Sequence, residues 1–522
     1  MIKYDTIVVG SGSAGAVVAT RLSENPSHSV LLLEAGLDYP NIDELPEEIK
    51  WGYGRHRNLW AKAFGKNSEH SWNLSARATD HNPNILVPRG KIVGGSSAIN
   101  AQIFLRGDPD DYDAWDLNGN SGWSFDELLP FFCKLEKDVD FNDEFHGDNG
   151  PIVVSRFKEQ EWNEDQNAFY KSCIAAGYKY CPDHNAPHST GVGPTPLNNN
   201  HGVRWGTHIG YIADARSRTN FTLKPNCFVH KLIFDGNRAI GVVVENENDV
   251  FSIYANEIVL SAGTVGSAHI LLLSGVGPAD QIENQDIPVV LDMPGVGKNL
   301  RDHPQAHVTW RKSDHFKQDE NIPRVQMALR YTAGGSDLQN DMIIHMFSSV
   351  TPGGRFILSD SAPIGFSMVV CIELALGTGE LSLISPDPHI QPKLNYNYLT
   401  NSFDRNRLKE GVRICANLGN SSDFAHLIKD RIAPSDKEIS SDSNLEEWLL
   451  NVVQTSHHIS GTCKMGIGSD NFSVVDQYGL VHGLEGLRVA DASIMPDSVR
   501  ANINATTIAI GERISDLICK GF

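Results

Sequence analysis

A glycine-rich turn near the N-terminus has residue types and a spacing that suit dinucleotide binding. Gly10 allows a tight turn, Gly12 lets the backbone approach a pyrophosphate, and Gly15 allows a helix to pack closely on a strand. An apolar, β-branched run precedes the turn (residues 6–9), and a helical pattern follows it (residues 16–22). We therefore predict a strand, a turn and a helix whose free N–H groups face the phosphates.

The second strand of this unit ends in an acidic residue. Residues 30–33 are apolar and are followed by Glu34 and Ala35. An acid about 20 residues beyond the glycines is placed to bind a ribose hydroxyl. This βαβ context favours nucleotide binding over a purely structural turn. Because a carboxylate repels a 2′-phosphate, the pattern does not suit a phosphorylated ribose.

The composition is that of a soluble, folded chain with room for two or three substructures. Of the 522 residues, 40% are hydrophobic and 21% charged, and the net charge of -20 argues against nucleic-acid binding. No stretch is apolar for long enough to span a membrane, so we expect a cytoplasmic protein without a transmembrane segment. The eight cysteines are scattered without CxxC spacing, which predicts reduced thiols and no metal site.

Three further segments show strand or turn patterns. Residues 89–100 form a second small-residue turn that would bring backbone close to a ligand. Residues 257–264 indicate another strand, turn and helix start, and residues 487–492 indicate a buried strand that ends in an acid. Residues 51–88 are rich in Trp, Asn and His and show no regular pattern, which predicts a functional loop or lid.

Polar and apolar residues alternate through the middle of the chain, from about residue 304 to residue 450. A period of two is typical of an antiparallel sheet with one face toward ligand or solvent. We predict an α/β fold in which a Rossmann-like nucleotide-binding domain carries an inserted α+β substrate-binding domain with an antiparallel sheet. The predicted bounds are 1–155, 200–303 and 455–522 for the nucleotide domain, and 156–199 and 304–454 for the substrate domain.

Five ordered motifs resemble those of the glucose-methanol-choline (GMC) oxidoreductases, and the resemblance spans nearly the whole chain. They are the turn at residues 10–15 with Glu34, GKIVGGSSAIN (90–100), the segment 263–277, PGVGKNLRDH (294–303), and the C-terminal pair HISGT (458–462) and VADASIMP (489–496). The resemblance implies FAD in the nucleotide domain, with its isoalloxazine facing a pocket under the substrate sheet. The implied reaction is oxidation of an alcohol by hydride removal.

The resemblance also implies which residues hold the cofactor. Glu34 would bind the adenosine ribose, the backbone of Val229 would contact the adenine, and residues 94–100 with Asp491 would surround the flavin. Some relatives attach their flavin to a histidine at the position of Ile99, so we expect noncovalent FAD here. The residues expected at the cofactor are Gly10, Gly12, Ser13, Ala14, Gly15, Glu34, Ala35, Arg89, Gly90, Val93, Gly94, Gly95, Ser96, Asn100, Ala101, Val229, Ala262, Gly263, Asp491, Ala492, Asn502 and Thr506.

The family's catalytic pair corresponds to His458 and Asn504 of this sequence. Hydride leaves an alcohol carbon readily only if the hydroxyl proton leaves too, and an imidazole is a base of suitable pKa. The amide of Asn504 would donate a hydrogen bond to the developing alkoxide. The hydride would pass to the flavin N5, because the cofactor carries the redox chemistry.

The substrate pocket is predicted to include Trp72, His457 and Phe347, with Met346 and Met368 as further candidates. Large apolar side chains such as Trp72, Phe347 and the two methionines more often belong to the plain core. Relatives that oxidise choline need an aromatic cage and an acid for the ammonium, and His457 supplies neither with certainty. We therefore favour a primary, aromatic or heteroaromatic alcohol.

Several alternatives stay open from the sequence. The chain could be a choline dehydrogenase, a hydroxynitrile lyase that keeps FAD without net redox change, or a flavin-binding protein without turnover. The third is disfavoured by the presence of both His458 and Asn504. The final electron acceptor is oxygen or another acceptor, and no motif specifies the oligomeric state.

Overall fold

The computed structural model describes residues 3–51, 59–247, 249–317, 323–350 and 365–522. The strands are β1 Lys3–Val9, β2 Val30–Leu33, β3 Leu74–Ala76, β4 Ile85–Val87, β5 Glu136–Asp138, β6 Ile152–Val154, β7 Gly191–Pro194, β8 Asn199–Asn200, β9 Val203–Arg204, β10 Phe221–Lys224, β11 Cys227–Asp235, β12 Arg238–Asn246, β13 Asp249–Leu260, β14 Val276–Gly277, β15 Leu291–Asp292, β16 Pro304–Lys312, β17 Met327–Tyr331, β18 Met342–Val350, β19 Gly365–Ile372, β20 Glu380–Ser382, β21 Lys393–Asn395, β22 Ile428–Ala433, β23 Gln454–Thr455 and β24 Leu487–Val489. The α-helices are α1 Gly15–Leu22, α2 Glu47–Lys50, α3 Leu59–Phe64, α4 Pro109–Leu117, α5 Phe125–Leu135, α6 Glu164–Ala175, α7 Ala213–Ala215, α8 Gly263–Leu273, α9 Ala279–Glu283, α10 Ser402–Gly419, α11 Asp436–Ile439, α12 Asp442–Val452 and α13 Asn504–Cys519.

The first large sheet contains the N-terminal βαβ unit. Its strand order is β10-β2-β1-β13-β12-β11, with β24 paired to the end of β13. Strands β10, β2, β1, β13 and β24 pair in parallel, whereas β12 is antiparallel to both β11 and β13. Parallel strands are covered on both faces, which explains why every residue of β2 is apolar and buried. The strands predicted at residues 6–9, 30–33, 257–260 and 487–489 are confirmed.

The second large sheet is antiparallel, with the order β22-β16-β19-β18-β17-β7, and β23 extends it beside β16. This confirms the sheet predicted from the alternation after residue 304. Helix α10 packs on one face of the sheet: a Cβ at Gly419 would overlap the Trp310 ring, and one at Gly411 would overlap the Val370 side chain. The glycines therefore let the helix lie close to the strands.

The C-terminal helix α13 joins the end of the chain to its beginning. It packs against α1, where a Cβ at Gly511 would come within 2.8 Å of the Ala14 carbonyl oxygen and 2.9 Å of the Val17 Cβ. The buried Glu512 of α13 also forms an ion pair with Arg21 of α1 at 2.7 Å. The residues just before α13 are thus held beside the N-terminal glycine turn.

Two expectations need correction. Helices α10 and α12 occupy part of the segment that alternation assigned to the antiparallel sheet, because both helices carry a mixed apolar and polar pattern. The segment 51–88 is not a loop throughout: it contains α3 and the hairpin β3–β4. Residues 52–58 of that segment lie outside the described residues. The domain bounds stay a prediction.

Candidate active site

A cavity of about 750 Å³ is lined by residues of both large sheets. The nucleotide part of this cavity is lined by the turn at residues 10–15, by Glu34 and by Val229. The histidine part is lined by His458, His457 and one face of the antiparallel sheet. A single cavity therefore joins the dinucleotide motif to the imidazoles.

The glycines of the first turn have different physical roles. Gly10 has a φ of +94°, which a residue with a Cβ rarely adopts. A Cβ on Gly15 would overlap the carbonyl oxygen of Gly10, so this glycine permits packing and does not line the cavity. A Cβ on Gly12 meets no atom closer than 3.9 Å and would project into the space beside Gly95. Gly12 is therefore the position where a ligand can approach the backbone.

The N-terminus of α1 is prepared for an anion. No side chain caps this helix, and Ser13 and Ala14 line the cavity just before it begins. Uncapped N–H groups at a helix N-terminus attract a phosphate. The residues present therefore fit the pyrophosphate of a dinucleotide.

The carboxylate of Glu34 is held at the carboxyl end of the interior strand β2. Its Oε2 accepts hydrogen bonds from the Ser11 backbone N–H (3.1 Å) and hydroxyl (2.7 Å), and its Oε1 accepts one from the Gly36 N–H (2.8 Å). Burial raises the pKa of this carboxyl above its ordinary value, although these hydrogen bonds act in the opposite direction. Glu34 is thus fixed in orientation and lines the cavity, as a ribose-binding acid requires.

Asp491 connects the C-terminal strand β24 to the start of α8. Its Oδ2 accepts hydrogen bonds from the Gly263 N–H (2.9 Å) and the Ser267 hydroxyl (2.5 Å). Its Oδ1 accepts one from the Ser493 N–H at 2.8 Å. Segments more than 200 residues apart in sequence therefore meet at the cavity through one carboxylate.

Most of the residues predicted for the cofactor come together in this cavity. Four do not line it: Gly15 begins α1 against the Gly10 backbone, Gly94 packs against the His208 side chain, Val93 is in the core, and the Thr506 hydroxyl hydrogen-bonds to the Tyr112 hydroxyl at 2.8 Å. Thr507 lines the cavity instead. The predicted residues that do line it are Gly10, Gly12, Ser13, Ala14, Glu34, Ala35, Arg89, Gly90, Gly95, Ser96, Asn100, Ala101, Val229, Ala262, Gly263, Asp491, Ala492 and Asn502.

His458 lies between a second histidine and an amide. Its Nδ1 is 2.9 Å from Nδ1 of His303, and its Nε2 is 2.9 Å from Nδ2 of Asn502. Burial lowers the pKa of His458 well below its ordinary value of 6.5, and the nearby His303, His457 and Arg89 lower it further. The ring is therefore neutral at physiological pH, and one of its two hydrogen-bonded nitrogens is unprotonated and can act as a base.

The structure places Asn502, rather than the predicted Asn504, against the imidazole. Asn504 is the first residue of α13, and its Oδ1 accepts a hydrogen bond from the Ser13 hydroxyl at 2.7 Å. Both asparagines line the cavity. The physical reason is the helix start: Asn504 is already in α13 and faces the glycine turn, whereas Asn502 precedes the helix and reaches His458.

Asp302 holds the backbone on both sides of the histidine pair. Its Oδ1 accepts hydrogen bonds from the N–H groups of His303 (2.8 Å) and His458 (2.9 Å). Its Oδ2 accepts hydrogen bonds from the hydroxyls of Tyr398 (2.6 Å) and Thr455. Burial raises the pKa of Asp302, while these donors oppose the rise. One buried carboxyl thus fixes the two imidazoles relative to each other.

One face of the antiparallel sheet lines the histidine part of the cavity. Gln305 of β16 lies opposite Cys371 of β19, and Val369 of β19 lies opposite both His307 and His345. Directly opposed residues share a face, and all five of these residues line the cavity. The register therefore converts residues from three strands into one surface.

The alternation of side chains along the strands places the predicted pocket residues of β18 and β19 on opposite faces of the antiparallel sheet. Phe347 lies on the cavity face, whereas Met346 and Met368 lie on the opposite face and are fully buried in the core. Trp72 lines the cavity, but its ring is 5.8 Å from the ring of Phe228 and 5.0 Å from the Lys91 ammonium. Because Phe228 precedes Val229, the Trp72 ring lies near the part of the cavity that Val229 lines, while its backbone N–H donates to the carbonyl oxygen of Arg89 at 2.9 Å.

His457 lines the cavity with an unusual backbone conformation. Its φ is +69°, its N–H donates to the Thr455 hydroxyl oxygen at 2.8 Å, and its carbonyl accepts a hydrogen bond from Arg89 at 2.5 Å. Burial lowers the pKa of His457 to about 3, and Arg89 and His307 lower it as well. His457 is therefore a second neutral imidazole beside His458.

The chain matches the GMC oxidoreductase family over residues 4–305 and again over residues 376–511. It belongs to that family. This membership confirms the resemblance carried by the sequence motifs and identifies the chain as an FAD-dependent oxidoreductase. The glycine cradle, Glu34 and the uncapped α1 are consistent with that cofactor.

Individual GMC proteins match the whole chain. The oxygen-dependent choline dehydrogenase of Vibrio vulnificus is 30% identical, covering 99% of this chain and 94% of the relative. The 5-(hydroxymethyl)furfural oxidase of Methylovorus sp. is 32% identical, covering 99% and 98%. The crystal structure of pyridoxine 4-oxidase from Mesorbium loti is 26% identical, with a TM-score of 0.91 and complete coverage of both chains.

Sequence reasoning missed several residues of this GMC site. Asp302 and His303 stand in the motif at residues 294–303, which could have pointed to them, although residue spacing alone does not assign them a role. Gln305, His307 and His345 gave no signal, since only the strand register places them on the cavity.

Among the helices of the described residues, none has the length and apolar character needed to cross a membrane.

Proposed function

We propose that this GMC protein oxidises a primary alcohol to an aldehyde, with FAD as the hydride acceptor. The observation that carries the proposal is the contact between Nε2 of a neutral, buried His458 and the amide of Asn502, 2.9 Å apart at the wall of the cavity. A base and a hydrogen-bond donor at one point suit an alcohol oxygen that becomes an alkoxide. FAD, when bound, supplies the electron-pair acceptor that the protein side chains lack.

The hydrogen bonds of His458 define which nitrogen is the base. The amide nitrogen of Asn502 only donates, so Nε2 of His458 accepts and is unprotonated. A neutral imidazole then carries its proton on Nδ1, which donates to Nδ1 of His303. A substrate hydroxyl that displaces this direct hydrogen bond would donate its proton to Nε2 and accept a hydrogen bond from the amide. We therefore assign the base to His458 and the alkoxide donor to Asn502.

The cofactor is proposed to be held without a covalent bond. Residue 99, where some relatives link their flavin, is an isoleucine that lines the cavity and has no atom able to form such a bond. Glu34 would bind the ribose, the α1 N-terminus the pyrophosphate, and the turn with Gly95 the flavin. Precipitation of the protein with acid is expected to release yellow flavin into the supernatant. Colour that stays with the pellet would contradict noncovalent binding.

The substrate is proposed to be a neutral alcohol attached to an aromatic or heteroaromatic ring. Among the described residues, the cavity-facing positions of β16, β18 and β19 are Gln305, His307, His345, Phe347, Val369 and Cys371, and none is acidic. A quaternary ammonium needs a carboxylate or an aromatic cage, and this face offers a single phenyl ring. Neutral imidazoles and an amide instead suit ring heteroatoms and hydroxyl groups. The furfural oxidase relative is named for a substrate of this kind.

Anaerobic mixing of the holoenzyme with a panel of alcohols tests the proposal. Hydroxymethyl-furans, benzyl alcohols and pyridine methanols are expected to bleach the flavin absorbance faster than choline at equal concentration. Choline as the fastest substrate would contradict the proposed class, and cyanohydrin cleavage without bleaching would replace oxidation by lyase chemistry. Repeating the productive reaction in air separates oxygen from another final electron acceptor.

A further inference from the structure

Two histidines and a glutamate converge beside the nucleotide part of the cavity, away from the proposed base. Nε2 of His230 lies 2.7 Å and Nε2 of His389 lies 2.9 Å from the same Oε2 of Glu245. The three ligand atoms all lie within 4.8 Å of one another. The sequence predicted no metal site because its cysteines are scattered, and these three residues come from separate segments.

Each residue is directed to this point by a specific feature of the fold. Glu245 of β12 pairs with Phe228 of β11, and a β-bulge between Val229 and Lys231 leaves His230 outside the regular register. Bulges re-aim side chains, and here the imidazole reaches the carboxylate. The ring of Phe228 lies 5.4 Å from that of His230 and 4.9 Å from that of His389, so one phenyl supports both imidazoles.

His389 arrives from a different part of the fold. It lies in the loop between β20 and β21, where its N–H donates to Asp387 at 2.9 Å. The neighbouring Gln391 fixes the loop through hydrogen bonds with the backbone of Ser75 at 3.0 and 2.9 Å. Pro388, His389 and Gln391 line the cavity with Glu245. The cluster therefore joins the loop between β20 and β21 to the β11–β12 hairpin at the edge of the cavity.

We propose that His230, Glu245 and His389 form a binding site for a divalent transition metal of the zinc class. Two imidazoles and one carboxylate are ligands that zinc accepts, leaving a fourth position for water. Tetrahedral zinc with bonds of about 2.0 Å needs ligand atoms about 3.3 Å apart, so the two separations from Oε2 of Glu245 would lengthen by about half an ångström. The side chains are 18%, 26% and 53% exposed in the order His230, Glu245 and His389, which gives an ion an entry path.

The bound metal would act as a clasp on the cavity. It would tie the loop between β20 and β21 (residues 383–392) to the β11–β12 hairpin, whose Val229 is proposed to contact the adenine. We expect the metal to slow the loss of FAD, and this consequence rests on the proposed function. Metal binding itself needs neither FAD turnover nor substrate, so an inactive enzyme that binds zinc would contradict the proposed function alone.

Calorimetric titration of the chelator-treated holoenzyme with zinc chloride tests the site. One ion per chain is expected at this cluster, and magnesium chloride is expected not to bind, since magnesium prefers oxygen ligands. Glu245→Gln and His389→Ala should each weaken zinc binding by at least about tenfold, the lower end of the effect for groups that merely adjoin ligands. His426→Ala is the matched control, because its exposed pair with Glu164 has the same 2.7 Å distance but no second imidazole.

Two outcomes would overturn the site. The first is zinc binding weaker than millimolar in the unaltered protein. The second is binding that Glu245→Gln and His389→Ala leave unchanged, which would place the ion elsewhere, for example at the cavity histidines. For the clasp, the rate of flavin release after dilution is followed by fluorescence. Zinc should slow release in the unaltered protein and in His426→Ala but not in His389→Ala, and equal rates with and without zinc would overturn the clasp.

Discussion

Two buried histidines of this molecule, His458 and His146, lie in opposite electrostatic surroundings. His458 has another imidazole, an amide and a cationic Arg89 near it, and its pKa falls well below 6.5. Burial also lowers the pKa of His146, but hydrogen bonds to Asp138, Asp183 and Glu136 raise it to about 11. Burial alone therefore does not decide the charge of a histidine; the groups that face each nitrogen do.

The two histidine clusters therefore have different roles: the one around His146 stabilises the fold, and the one around His458 can accept a proton. His146 is a buried cation whose Nε2 lies 3.0 Å from Asp183 and whose Nδ1 lies 3.2 Å from Glu136. Arg156 completes the network with ion pairs of 2.7 Å to both Asp138 and Asp183. Such a ring stabilises the fold and has no free lone pair for a substrate proton. His458 keeps a lone pair because no carboxylate faces its ring nitrogens among the described contacts.

The largest expected effect comes from removing the neutral imidazole of His458. His458→Ala should retain bound flavin yet slow its reduction by alcohol about a thousandfold, within the usual range for a positioned base. Stopped-flow absorbance under anaerobic conditions measures the rate constant. His146→Ala is the matched control and should stay within about twofold of the unaltered rate at a temperature where it is folded. Equal slowing in both variants would remove the distinction between a catalytic and a structural histidine.

The cationic ring of His146 should affect the stability of the fold rather than the rate of flavin reduction. His146→Ala leaves three carboxylates without their shared cation, which should lower the free energy of unfolding by about 3 kcal/mol at neutral pH. Because the folded pKa is raised above the unfolded value of about 6.5, the contribution is fully present below pH 6.5 and is lost as pH rises toward about 11. Urea midpoints of variant and unaltered protein should therefore converge between pH 6.5 and pH 9.5. A gap that widens over this range would show that His146 is not the cation.

Substitution of Asn502 or Asn504 shows which of the two amides assists the reaction at His458. Asn502→Ala removes the donor on Nε2 of His458 and should slow flavin reduction about a hundredfold, the usual cost of one donor to a developing oxyanion. Asn504→Ala, two residues away, removes the acceptor of the Ser13 hydroxyl and should slow it less than tenfold. The comparison uses the same stopped-flow assay at matched flavin content. A larger loss in Asn504→Ala would restore the role that the sequence motif predicted.

The nucleotide part of the site could be predicted because its information is local. Gly10, Gly12 and Glu34 lie in one βαβ unit, so their spacing along the chain determines their spacing in space. The histidine part depends on pairing between distant strands. His307 and His345 face the cavity only because both lie opposite Val369, and that register cannot be counted along the sequence.

The two asparagines show a different limit of the sequence. Asn502 and Asn504 have the same side chain and differ by whether they precede or begin α13. Pattern reading places helix ends only within about two residues, which is the whole difference between the two positions. Trp72 shows a related limit: it lines the cavity as predicted, but the composition of its segment does not tell which part of the cavity its ring faces.

The smallest expected effect is the pH dependence of the neutral cluster. The pKa of His458 is lowered, so its ring should stay deprotonated as the pH falls through 6.5. The rate constant for flavin reduction should then change by less than about twofold between pH 8 and pH 6, whereas an ordinary imidazole would lose about three quarters of its base form by pH 6. Anaerobic reduction at saturating alcohol, measured in half-unit steps, gives the profile. A midpoint near 6.5 would mean that His458 titrates like a solvent-exposed histidine, and its contrast with His146 would then reduce to the raised pKa of His146 alone.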